Sequence, residues 1–120
     1  MTTNMDQLAH QVASEVEAYR VPPSHPDQLG SPLPLEWFER GLAEMRSALV
    51  RPYPIDVVDL EAKSDGAPSR SVIVVADDRA ETLLAFDPAP DGDFALVWRR
   101  VDGLVLSNIR GDAVGCFLSR

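Results

Sequence analysis

Cysteine occurs once in this 120-residue chain, as Cys116, and histidine twice, as His10 and His25. A single cysteine excludes an internal disulfide, and so few cysteines and histidines exclude the paired spacings of a zinc site. The chain also lacks a Gly-rich phosphate loop and a Ser-centred nucleophile elbow. Lysine is nearly missing, with Lys63 alone against ten arginines. No basic stretch followed by an apolar one opens the chain, so a secretory signal is not expected. No apolar run approaches the roughly 20 residues that span a bilayer. The run Val72 to Ala76 is strand-sized. These absences together point to the cytoplasm. There Cys116, set in Gly115-Cys116-Phe117-Leu118, reads as a buried and inert thiol. The arginine bias, with abundant Ala, Val, Asp and Pro, is that of a GC-rich bacterial genome.

What is present suffices for one globular domain. Hydrophobic residues make up 45% of the chain and charged residues 25%, enough apolar surface to offset chain entropy. The net charge of −8 repels phosphate backbones and anionic membranes, so neither nucleic acid nor membrane is an expected partner. It suits a basic protein partner, and it also serves solubility.

The pattern predicts an α+β fold: two N-terminal helices, then a mainly antiparallel meander sheet of five or six strands. Met5, Leu8, Val12, Val16 and Tyr19 share one helical stripe over about 5–19, with Asn4 as cap and Gln7 three residues on. Residues 1–20 thus form an amphipathic helix and 21–33 a proline-rich linker, leaving 34–120 as the helix-plus-sheet domain. The linker either lays the first helix on its own domain or frees it as an arm. Leu35, Phe38, Leu42, Met45 and Leu49 form the seam of a second helix, expected to run to about Val50 and to stop at Arg51-Pro52-Tyr53-Pro54. Strands are expected over 55–62, 71–76, 82–86, 94–99 and 104–109, joined by short turns that imply hairpins. The second strand is so apolar that both faces should be covered. Asp112 would cap a short helix over 113–118; a sixth strand is the alternative, and Gly115 suits neither.

Several groups invite a chemical reading. Asp87, Asp91 and Asp93 with Gly92 could hold a hard cation, yet the same residues suit a hairpin loop, and Trp98 stands where an EF-hand would need Glu. No metal or other cofactor is expected. Arg110-Gly111-Asp112 matches an adhesion tripeptide but also makes a turn followed by a helix cap. A thiol nucleophile would require His10 or His25 beside Cys116, and neither lies in a setting that favours this. Asp56, Asp59 and Glu61 read as a solvated strand face rather than an acid–base pair. Arg70, Arg99, Arg100 and Arg110 lie at strand ends and could converge as an anion pocket, or pair with nearby carboxylates. Trp37 sits about 120° around the helix from its seam. Gly41 and Ala48 share its side, so the three form a candidate interface, unless the chain covers them itself.

These readings favour a small acidic, non-enzymatic interaction domain (an adaptor, inhibitor or immunity-type protein) whose partner is another protein, basic in character, or a second copy of the chain. The alternative is a small-molecule binder or enzyme with an Arg- and Asp-lined pocket between sheet and helix. Leu33-Pro34 before an aromatic pair, and Leu84-Ala85-Phe86-Asp87 leading through Gly92 into Val97-Trp98, loosely resemble the SUKH immunity superfamily. The Asn-Gly-Gly stretch of that family has no counterpart after Leu49, and no functional residue carries over.

Overall fold

The computed structural model describes residues 4–21, 34–59, 69–88, 92–101 and 103–120. In chain order these form α1 (Met5–Ala18), α2 (Leu35–Ala48), β1 (Leu49–Val58), β2 (Ser69–Asp77), β3 (Thr82–Asp87), β4 (Asp93–Arg100), β5 (Gly103–Gly111) and α3 (Ala113–Leu118). The expected α+β meander is present, and segment 113–118 is helical.

Consecutive strands pair antiparallel. Beyond the expected meander, the sheet closes into a barrel, because Val58 of β1 pairs in parallel with Val105 of β5. Closure divides the apolar residues into two cores. Val57, Val72, Val74, Leu83, Ala85, Ala95, Val97 and Leu106 fill the barrel. Ile73, Val75, Leu84, Phe94 and Leu96 point outward and pack against all three helices. Strand alternation thus covers both faces of β2, as its unbroken apolar run requires. A bulge between Val74 and Ala76 of β2 lets the consecutive residues Val75 and Ala76 both join the helix-side core.

Helix α1 begins where Asn4 Oδ1 accepts a hydrogen bond from the Gln7 backbone N–H at 3.1 Å. Its stripe residues Leu8, Val12 and Val16 are buried in the same core as Leu42, Met45 and Phe117. The helix therefore lies on its own domain. The proline-rich linker falls outside the described residues.

Two expectations fail at the junction of α2 and β1. The helix ends at Ala48, and the chain enters a strand at Leu49 with no loop between them. Arg51-Pro52-Tyr53-Pro54, expected to be the stop, lies inside β1. Proline is tolerated in a strand whose outer side needs no ladder donor. Here β1 bonds continuously to β2 alone, with an irregular register between Leu49 and Tyr53. The strand expected to reach Ala62 stops at Val58, with Asp59 already outside it, and residues 60–62 lie outside those described.

Gly115 is explained by α3. Asp112 caps this helix, its carboxylate accepting from Gly115 N–H at 2.9 Å. A Cβ at Gly115 would come within 2.6 Å of Asp112 Oδ1. The cap and the glycine are one device, which reading residue propensities singly does not reveal.

Candidate functional site

The four strand-end arginines do not gather into one pocket. Arg70 and Arg110 do meet, at one end of the barrel, but on carboxylates of their own chain. Asp87, whose side chain is 1% exposed, accepts from Arg70 Nη1 at 2.7 Å and from Arg110 Nη2. Arg110 also reaches Asp93 at 2.8 Å, and Arg70 lies 3.4 Å from Asp59. The guanidinium of Arg110 holds the Asp93 carboxyl below its ordinary pKa. This cluster joins the ends of β2, β3, β4 and β5. Asp87 and Asp93 of the suspected cation loop are thereby committed to arginine, while Asp91 and Glu61 lie outside the described residues. Among the described residues, no three His, Cys, Asp or Glu side chains gather as a metal site. Arg110-Gly111-Asp112 is used up by this ion pair and by the α3 cap.

Arg99 sits at the opposite end. It binds Asp77 with two nitrogens, at 2.8 and 2.7 Å, and reaches the Ala80 carbonyl at 3.1 Å. Hydrogen bonding to Arg99 holds the Asp77 carboxyl below its usual pKa. Arg100 lies 5.9 Å from the Trp98 ring centroid, as a cation–π contact. Cys116 is buried, with Sγ 3.6 Å from the Phe94 carbonyl oxygen, and burial pushes its thiol up to about 11.

The candidate interface on α2 is partly covered by α3. Leu118 lies so close to Gly41 that an added Cβ would meet its Cδ2 at 2.4 Å, and Ala48 is buried. At Gly41 the cover comes from Leu118, at the far end of the chain. Trp37 stays 36% exposed and Leu35 57% exposed. Trp37 meets Phe38 edge to face at 4.9 Å and rims a groove of about 220 Å³ that reaches Gly41, Leu118 and Arg120.

A second, larger cleft of about 500 Å³ opens beside this groove, between α2, the turn joining β2 to β3, and α3. Its arginines are not the strand-end ones singled out from the sequence. Arg40 lines it from α2, Arg79 from the turn and Arg120 from beyond α3, with Ala43, Ala48 and Phe117 supplying apolar wall. Its carboxylates are already engaged. Arg120 takes both Glu44 and Asp78, with its guanidinium 4.2 Å from the Phe117 ring centroid. Asp78 Oδ1 accepts from Ala80 and Thr82 N–H at 2.8 and 3.1 Å, and Asp77 Oδ1 from Arg79 N–H at 2.7 Å. These bonds hold Arg79 in the left-handed region at φ 58°. That conformation costs a residue with a Cβ about 1–2 kcal/mol. The sequence did carry one signal here: Asp77-Asp78-Arg79-Ala80 is a tight turn with arginine where glycine or asparagine is usual.

Among the described residues, no helix is long and apolar enough to cross a membrane. Comparison with known protein families, with curated proteins and with solved structures finds no match to this chain. The loose likeness to SUKH proteins therefore rests on its short local patterns alone.

Proposed function

We propose that the chain is a small, acidic, non-enzymatic protein-interaction domain that receives another protein on the α2–α3 face around Trp37. The observation that carries this reading is selective cover. The fold buries Ala48 and packs Leu118 onto Gly41, yet leaves Leu35 exposed and Trp37 open at the rim of a groove. A tryptophan at the rim of a groove is a favoured interface anchor, since it offers large apolar area at small entropic cost.

The charge of −8 favours a positively charged partner over a second copy, because two such chains repel each other. The shifted acidic groups also favour contact over catalysis. Asp77 and Asp93 move down and Cys116 moves up, all away from the near-neutral values that acid–base work requires. A single buried thiol suits a reducing cytoplasm.

The test is Trp37→Ala. A partner captured on the immobilised chain is purified, and its Kd is measured by calorimetry. The substitution should weaken binding about 30-fold, the cost of losing a hot spot of about 2 kcal/mol, with Tm moved by no more than a few degrees. An unchanged Kd refutes the reading. Sedimentation of the chain alone decides for the second copy instead, should a dimer appear that Trp37→Ala abolishes. The alternative, small-molecule binding between sheet and helix, is favoured by a different observation, the arginine-lined cleft.

A further inference from the structure

We propose that the cleft between α2, the β2–β3 turn and α3 is a binding site for a small organic anion, held through phosphate or carboxylate oxygens by Arg40 and Arg79. The inference is independent of the protein-interaction reading and rests on how charge is distributed around the cleft. Three carboxylates line it: Glu44, Asp77 and Asp78. Each is taken. Glu44 holds Arg120; Asp77 holds Arg99 and the Arg79 amide; Asp78 holds Arg120 and two amides of its own turn. Arg40 and Arg79 line the same cleft from two different walls and enter no ion pair or side-chain hydrogen bond among the described residues. In a chain with 19 acidic residues, two unpaired guanidiniums facing one hollow form a local positive site on a negative surface.

The geometry suits an anion in two further respects. Arg79 is kept in a left-handed conformation by side-chain bonds from Asp77 and Asp78. Those turn bonds fix the backbone of Arg79, while its guanidinium enters no ion pair among the described residues. Planar guanidinium forks match the paired oxygens of phosphate and carboxylate. Arg120 is fixed across the Phe117 ring by Glu44 and Asp78; its charge is balanced there, so the anion's grip falls to Arg40 and Arg79. The apolar wall of Ala43, Ala48 and Phe117 can receive the body of an organic anion. The volume of about 500 Å³ lies within the usual range for small-molecule sites.

The experiment titrates the full chain with inorganic phosphate, citrate and adenosine monophosphate. Calorimetry and backbone amide NMR provide the readout, at low and at high salt. Saturable binding of at least one probe below about 1 mM is expected, with amide shifts centred on Asp77–Thr82 and affinity falling as salt rises. Phosphate binding alone identifies the oxyanion grip. Tighter binding of adenosine monophosphate shows that the apolar wall takes part, and citrate binding alone assigns the site to carboxylates.

Arg79→Gly is the decisive variant, because glycine suits φ 58°. It should unfold at the same temperature or higher, yet bind at least tenfold more weakly. Arg40→Ala should also lose at least tenfold, and Arg51→Ala, away from the cleft, should bind as the parent does. Failure of all three probes to saturate at 10 mM overturns the proposal. So does binding that survives both Arg40→Ala and Arg79→Gly. Arg40 lines the Trp37 groove as well, so Arg79→Gly is the variant that separates the two readings; the role of Trp37 is read from partner affinity.

Discussion

Asp87→Ala tests whether the charge cluster at the barrel end is structural. The Asp87 side chain is 1% exposed and receives both Arg70 and Arg110, whose side chains are 33% and 30% exposed. Removing one partner of a buried ion pair typically costs about 3–5 kcal/mol, because the remaining charge is left buried and unpaired. Two features reduce that figure here. The arginines are about a third exposed, so they can turn to water, and each keeps a second carboxylate, Asp93 for Arg110 and Asp59 for Arg70. An expected loss of about 2–3 kcal/mol follows. Urea unfolding at neutral pH should show it as a lower midpoint with an unchanged slope. A double-mutant cycle with Arg110→Ala should return a coupling of at least about 1 kcal/mol. A loss below about 1 kcal/mol, or two substitutions that simply add, would show that the cluster behaves as an ordinary surface network and that burial of Asp87 has no energetic consequence.

Three further outcomes are expected. Gly115→Ala should destabilise by about 1–2 kcal/mol in thermal unfolding, because its Cβ would drive Asp112 from the α3 cap; a neutral result would mean the cap is dispensable. Acid should destabilise the fold late. Asp77 and Asp93 have native pKa values below the model-compound value of 3.8, so their contribution is complete above about pH 4 and declines as pH falls through their lowered native values; stability falling steeply between pH 6 and 5 would contradict this. Cys116 should resist a thiol reagent at pH 8 in the native state and react at once in urea, since burial pushes the thiol up to about 11.

Local pattern determined most of what could be read in advance. The stripe Leu8–Val12–Val16 and the seam through Leu42 and Met45 located both long helices, because helical spacing depends on the segment alone. The apolar run of β2 announced two covered faces, and both are there. Barrel closure was not legible. It depends on accumulated twist, on bulges in β1 and β2, and on the Val58–Val105 pairing between residues 47 apart in sequence. The prolines at 52 and 54 were read through their general dislike of regular structure. Their place in β1 reflects an unshared strand side, which only the assembled sheet defines.

The same reasoning explains why the candidate sites were only half visible. Strand-end arginines were correctly singled out as charged groups, but strand ends lie at two ends of a barrel, so Arg70 and Arg110 went to one and Arg99 to the other. Arg40 stands four residues after Glu36, the spacing of a helical ion pair, yet it makes no such pair among the described residues and lines the cleft instead. Whether an arginine is free depends on which carboxylates others have already claimed. At this cleft the claiming arginines come from β4 and the segment after α3, and the claimed carboxylates from α2, the end of β2 and the turn that follows it. An unpaired charge is therefore a property of the whole fold, as is the exposure of Trp37 on a helix whose Gly41 is met by Leu118.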